Sequence, residues 1–223
     1  MKKNVLIICL LLLNQNFILA ENSSYDYSSY SATSTNTNLS GQTISCTTSD
    51  QSAVYITQSG ITISSTSITK SGDLSSSTSD VSEFYGVNAA VLVQGGSLTM
   101  TGGSISTSAK GSNALVATNG GSVTITGTTI TSTGSGSARG LHATYGGTIT
   151  ANSVKITTQS GSCATLATDR GEGTVSCTGC TLETNGAGSP IIYSTGAITL
   201  TDSTGTSKCS SSCCRWRKKF CKS

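Results

Sequence analysis

The chain of 223 residues is poor in proline, histidine, aromatic and charged residues. It contains one proline and one histidine, and charged residues make up 10% of the sequence. So few charges cannot form a broad basic face, which argues against nucleic acid as a partner. Disordered chains are usually rich in charge and lack regular apolar spacing, whereas this chain keeps such spacing. The composition therefore predicts a folded β protein rich in Ser and Thr.

Long apolar runs are also scarce, and the one at the N-terminus is too short to span a bilayer. It runs from Val5 to Leu13 after Lys2 and Lys3, and a cleavage point is expected after Ala20, a pattern typical of a secretory signal peptide. We expect residues 1–20 to be removed, which predicts a secreted or cell-surface protein without a transmembrane segment. Residues 21–42, rich in Ser, Thr, Asn and Tyr, are predicted to form a leader or a cap.

The sequence does contain a repeat, in which a hydrophobic anchor follows each turn rich in Gly, Ser and Thr. The anchors are Leu98, Val123, Ile149, Val175 and Ile198. They lie 25, 26, 26 and 23 residues apart, and an earlier match, Ile61, precedes Leu98 by 37 residues. A period of this length with a short strand after each turn is typical of a solenoid.

Each repeat carries two further apolar positions, one seven residues after the anchor and one patch before the next anchor. The pairs are Ile61/Ile68, Leu98/Ile105, Val123/Ile130, Ile149/Ile156 and Val175/Leu182. Three short strands per turn predict an all-β fold, a right-handed parallel β-helix of about six coils. We place this domain at residues 43–207, with an inserted loop at 70–86.

Three segments also resemble a known group of proteins. They are FYGVNAAVLVQGGSLTMTGGSI from Phe84, ARGLHATYGGTITA from Ala138 and CATLATDRGEGTVSC from Cys163. These segments resemble exported bacterial right-handed β-helix proteins of the pectin-lyase-like, adhesin-like group. The resemblance covers about residues 70–206 and implies a pectin-lyase-like fold and a secreted or surface role. It supplies no catalytic residues, and it leaves the cysteine-rich basic tail at 208–223 unexplained.

Polysaccharide lyases and hydrolases share this fold, and their chemistry needs clustered carboxylates near a basic side chain. Candidates on two adjacent coils are Arg139, His142, Asp169, Arg170 and Glu172. Coils stack about 4.8 Å apart, so these side chains are a candidate catalytic or sugar-binding patch. In the simpler interpretation, which we favour, Asp169 and Arg170 shape the turn and the others pair with them or face solvent. The only histidine cannot by itself define a triad or a metal site, and no cofactor is predicted.

Eight cysteines remain once the signal peptide is removed: Cys46, Cys163, Cys177, Cys180, Cys209, Cys213, Cys214 and Cys221. Export to an oxidising compartment favours disulfides. The CTGC segment lacks the context of a thioredoxin site and a second matching pair for zinc. It predicts a local bridge, or a core Cys177 with a separate partner for Cys180. The tail is compatible with a disulfide-knotted cap, a metal-binding knot, a basic arm for an anionic surface, or an unselected extension.

The outward positions of the anchor strands form the most regular surface feature. The threonines among them are Thr62, Thr99, Thr101, Thr124, Thr126, Thr150, Thr178, Thr199 and Thr201. Flat, uncharged Thr surfaces of this kind are used by some ice-binding solenoids. Thr is, however, also favoured at solvent-facing strand positions in general.

Three functions follow as hypotheses. The leading one is a non-enzymatic, adhesin-like protein that presents its Thr/Ser face and loops to a glycan or another extracellular macromolecule. The second is an ice-binding protein that uses the Thr ranks. The third is a polysaccharide-active enzyme built on the charged residues of the two adjacent coils.

Overall fold

The computed structural model describes residues 24–208. The predicted signal peptide and the four cysteines of the tail lie outside these residues. Within them the chain forms three parallel sheets of seven strands each. The all-β, parallel β-helix fold is thereby confirmed.

The three sheets take every third strand of the chain, because each coil contributes one strand to each sheet. Sheet A contains β1 (Ala32–Thr35), β4 (Ser52–Ile56), β7 (Val91–Gln94), β10 (Leu115–Thr118), β13 (Leu141–Ala143), β16 (Leu166–Thr168) and β19 (Ile192–Tyr193). Sheet B contains β2 (Leu39–Ser40), β5 (Ile61–Ser64), β8 (Ser97–Thr101), β11 (Ser122–Thr126), β14 (Thr148–Asn152), β17 (Thr174–Thr178) and β20 (Ala197–Thr201). Sheet C contains β3 (Thr43–Cys46), β6 (Ser67–Lys70), β9 (Ser104–Thr107), β12 (Thr129–Ser132), β15 (Lys155–Thr158), β18 (Thr181–Thr184) and β21 (Thr204–Ser207).

The solenoid has about seven coils, one more than the six predicted. The additional coil consists of β1, β2 and β3, and it begins inside the segment predicted as a leader or cap. Its strands have two to four residues, and it lacks the spaced pair of aliphatic anchors of the later coils. The periodicity therefore did not reveal it.

The predicted anchors stack in one column of sheet B. Leu98 pairs with Val123, which is followed by Ile149, Val175 and Ile198 in the same register. The second apolar positions form the corresponding column of sheet C, from Ile68 to Leu182. Both columns point into one continuous core. Each fully buried aliphatic side chain contributes about 1.5–3 kcal/mol.

Tandem glycines connect sheet A to sheet B in three successive coils. The first of each pair, at 95, 120 and 146, has a φ of 71° to 73°, a conformation that glycine adopts without steric cost. The second lies against the backbone of the preceding coil; at Gly147 an added Cβ would overlap the carbonyl of Ala117. These turns set how closely the coils stack.

Sheet A differs from the other two sheets because its outer face is also covered. Tyr55, Leu92 and Val116 point outward and form a second buried cluster together with Tyr27 and Tyr30. The inserted loop adds a short helix, α1 (Asp80–Tyr85), which ends at Gly86 in the left-handed conformation. Because both faces of sheet A are covered, its strands contain consecutive apolar residues instead of alternating apolar and polar ones. No helix in the described part of the chain is long and apolar enough to cross a membrane.

Candidate functional site

The outer surface of sheet B consists of Ser/Thr columns that run along the solenoid axis. The first column contains Thr62, Thr99, Thr124, Thr150, Ser176 and Thr199 in register. The second contains Ser64, Thr101, Thr126, Asn152, Thr178 and Thr201 in register. Hydroxyls therefore recur about every 4.8 Å along the axis and about 6.8 Å along each strand.

This surface carries no charge in the described coils. A third outward column completes it and contains Ser97, Ser122, Thr148, Thr174 and Ala197. The outer surface of sheet C is similar, but Lys155 and Glu183 interrupt it. Sheet B is thus the one extended surface of these coils that is accessible, uncharged and regular.

The charged candidates Arg139, His142 and Asp169 come together on the outside of sheet A, where His142 lies on β13. Nη1 of Arg139 lies 3.1 Å from Nε2 of His142 and 3.3 Å from Oδ2 of Asp169. Its Nη2 lies 3.7 Å from Oε2 of Glu83 on α1, and the Glu83 carboxylate also accepts a hydrogen bond from the Ser137 hydroxyl. We call Glu83, Arg139, His142 and Asp169 the arginine cluster. It joins two adjacent coils to the inserted loop.

Three members of the arginine cluster are buried, and the side chain of the fourth, Glu83, is 20% exposed. His142 is fully buried, and the residues Arg139 and Asp169 are 6% and 7% exposed. The structure thus brings Arg139, His142 and Asp169 of the predicted candidates together. Arg170 does not take part in these contacts; its guanidinium carbon lies 4.1 Å from the centroid of the Phe84 ring. Glu172 is exposed.

Burial controls ionisation in the cluster. It lowers the pKa of His142 well below its usual value, and the adjacent Arg139 lowers it further. Burial raises the pKa of Asp169, although the charge of Arg139 partly opposes this effect. Burial also opposes ionisation of Glu83, but hydrogen bonds from Ser137 and Ser79 and the charge of Arg139 outweigh it and lower the pKa of Glu83. His142 is therefore a neutral side chain beside a permanent cation.

This arrangement predicts a loss of stability in mild acid. The folded protein holds His142 neutral, whereas the unfolded chain protonates it near pH 6.5. The free energy of unfolding should therefore fall as the pH drops from about 7.5 to about 5.5. Urea unfolding at the two pH values measures this change.

The control for this experiment is His142→Gln, because the chain contains no other histidine. The variant should lose clearly less stability than the parent between the two pH values. An equal loss in both proteins would assign the acid sensitivity to other groups.

The four described cysteines are buried and free, so no disulfide joins them. Cys177 and Cys180 both belong to the core, and a hydrogen bond from Cys177 lowers the pKa of Cys180 to about 6. Cys163 is also buried, and its thiol lies 3.2 Å from the carbonyl oxygen of Gly161. The predicted disulfides of the repeats are thus not present here, and those of the tail lie outside the described residues.

Sequence reasoning missed that the aromatic residues share one side of the molecule. All described aromatic rings lie over sheet A: Tyr25, Tyr27, Tyr30, Tyr55, Phe84, Tyr85, Tyr145 and Tyr193. The ring of Tyr85 stacks between the rings of Tyr25 and Tyr145. The sequence offered one signal, because Tyr55 and Tyr193 fall in the apolar patch that precedes an anchor.

The molecule therefore has two different faces, a regular Ser/Thr surface on sheet B and an aromatic and charged side over sheet A. Comparison of this chain with known proteins does not assign a role to either face. No protein-family model, no curated protein and no solved structure matches this chain.

Proposed function

We propose that the protein is a secreted or cell-surface binding protein, non-enzymatic and adhesin-like, whose sheet B docks on a hydroxyl-rich polymer such as a glycan. The observation that carries the proposal is the exposed, charge-free Ser/Thr surface, held in register over the coils. The N-terminal signal pattern and the resemblance to exported pectin-lyase-like proteins support the location and the family.

The chemistry of this surface suits a repeating, uncharged partner. Each hydroxyl both donates and accepts hydrogen bonds, and each bond to a partner contributes about 0.5–1.5 kcal/mol net. A polymer that repeats along the solenoid axis can make many such bonds at once, so that weak contacts add up to useful avidity. Because no charges take part, binding should change little with salt.

Substitution of the Ser/Thr surface tests this function. Thr99→Lys with Thr150→Lys places two charges on sheet B, two coils apart. We expect binding to insoluble cellulose, chitin or xylan, measured by pull-down in low and high salt, to fall at least tenfold. The charges must be desolvated, and the long side chains hold the polymer away from the sheet.

A matched control exists on sheet C. Ser106→Lys with Thr157→Lys puts the same two charges on the same two coils and should leave binding unchanged. Equal losses in both double variants, or no binding of the parent to any of the three polymers, would contradict docking through sheet B.

A second candidate function, ice binding, is favoured by the paired threonines of three coils. These pairs are Thr99/Thr101, Thr124/Thr126 and Thr199/Thr201, and they are aligned in register. Such a grid can order water on a flat surface. Thermal hysteresis that disappears in the Thr99→Lys, Thr150→Lys variant would replace the glycan with ice as the ligand.

A further inference from the structure

A second surface, separate from sheet B, carries an exposed aromatic side chain that could contact a ligand. Tyr193 is 44% exposed and is the one exposed large hydrophobic side chain among residues 24–208. The guanidinium of Arg139 lies 5.1 Å from the centroid of its ring. The ring therefore rests on a buried cation while the residue remains exposed to solvent.

Phe84 and Arg170 are linked to Tyr193 through Arg139 and their own sequence neighbours. Arg139 connects them to Tyr193, because it pairs with Glu83, next to Phe84, and with Asp169, next to Arg170. Arg170 is exposed and stacks on the half-buried ring of Phe84. We call Phe84, Arg170 and Tyr193 the aromatic shelf.

The aromatic shelf is preorganised. Its parts come from α1, from the turn after β16 and from β19, and the arginine cluster ties the first two together. Arg139 and Arg170 also pack against the rings of Tyr193 and Phe84, and a preorganised site loses less conformational entropy on binding.

From these contacts we propose that the aromatic shelf is a subsite for a neutral sugar ring. An open aromatic face packs against the apolar C–H face of a pyranose ring, while nearby polar groups bind its hydroxyls. Arg170 and the exposed Glu172 supply a donor and an acceptor at the edge of the shelf. Aromatic faces combined with a few polar groups are what small-ligand sites use.

Size argues for a sugar ring over a protein partner, and charge argues for a neutral sugar over an acidic one. A stable protein interface buries about 800 Å² per partner, far more than three side chains offer, whereas one or two sugar rings match the shelf. Arg139 pairs with the carboxylates of Glu83 and Asp169, and Glu172 follows Arg170 by two residues. There is no surplus of positive charge, so an acidic glycan gains nothing over a neutral one.

The test is native gel electrophoresis of the full chain in gels that contain soluble polysaccharide. Mixed-linkage β-glucan, galactomannan and arabinoxylan are the neutral probes, and polygalacturonate is the acidic one. We expect retardation in at least one neutral gel, at least tenfold weaker for Tyr193→Ala. Tyr193→Phe, which keeps the ring, should bind like the parent, and Arg170→Ala should bind about fivefold more weakly.

Several outcomes would overturn the proposal: no retardation in any gel, retardation in polygalacturonate alone, or retardation that Tyr193→Ala leaves intact. Circular dichroism of each variant checks the fold. The Thr99→Lys, Thr150→Lys variant separates the two surfaces, since it should lose docking through sheet B and keep retardation by the shelf. Retardation that this variant loses and Tyr193→Ala keeps would assign soluble-glycan binding to sheet B instead.

Discussion

Replacement of Arg139 by methionine is expected to lower the free energy of unfolding by about 3–5 kcal/mol. Methionine fills most of the space of the arginine stem, so the loss comes from the guanidinium. Without it, the buried carboxylate of Asp169 and the partly buried carboxylate of Glu83 lose the cation beside them. Removing one partner of a buried ion pair costs more than the pair contributes, because the remaining charge stays desolvated.

The measurement is urea unfolding at pH 7.5, with Arg170→Met as the control. Arg170 is exposed and contacts Phe84 through a cation–π interaction, which contributes about 0.5–1 kcal/mol at such sites. Arg170→Met should therefore lower the free energy of unfolding only slightly. A similar, small loss in both variants would show that the arginine cluster does not hold the fold together.

The same substitution should act locally on the inserted loop. Glu83 pairs with Arg139 across the interface between α1 and the coils, so Arg139→Met should speed proteolysis of residues 70–86. Glu83→Gln leaves no charge at this position, and its effect should not add fully to that of Arg139→Met, because both residues belong to one network. Full additivity would mean that the two residues stabilise the protein independently.

The repeat made most of the fold predictable from sequence. Each anchor, such as Val123 or Ile149, is a core residue whose neighbours alternate in and out, and this alternation is a local property of the strand. Stacking coils then places equivalent positions in register. The columns of sheet B followed directly, as did the closeness of Arg139 to Asp169 one coil later.

What covers sheet A could not be predicted in the same way. His142 occupies an outward position of β13, beside Val116 and Ala167, and the periodicity alone leaves it facing solvent. It is buried because Arg139 and the inserted loop lie over it, and Glu83 of that loop precedes Arg139 by 56 residues. Such contacts between an insertion and a repeat have no period, so pattern analysis cannot find them.

The number of coils was underestimated for a related reason. The first coil has a two-residue strand, β2, and its inward residues include Cys46 beside the buried Lys70. Burial lowers the pKa of Lys70, whose ammonium donates to the carbonyls of Thr48 and Gly72. Lys70 belongs to β6 of the second coil, however, so the first coil was missed because β2 is short and has no residue paired with the anchor Ile61.

Substitution of Gly147 by alanine is expected to cost about 3 kcal/mol or more, although alanine adds only one methyl group. Gly147 follows Gly146 in the turn between β13 and β14, and its Cβ would occupy the position of the Ala117 carbonyl in the coil before. The backbone carbonyl of Ala117 cannot rotate away from the new methyl group as a side chain could. The coils would have to separate and weaken the ladder hydrogen bonds around the turn, a severe form of overpacking.

Gly120→Ala distinguishes this cause from the ordinary conformational role of glycine. Gly120 lies in the equivalent turn one coil earlier, has a φ of 73°, and has no atom within 4 Å of an added Cβ. Its substitution should cost only about 1–2 kcal/mol, the strain of a left-handed residue. Urea unfolding of both variants gives the comparison. Gly147 itself does not have a left-handed φ. A larger loss at Gly147 would therefore show that contact between coils limits the turn, whereas a loss no larger than at Gly120 would show that the coils can move apart and would leave their spacing to the packing of their core.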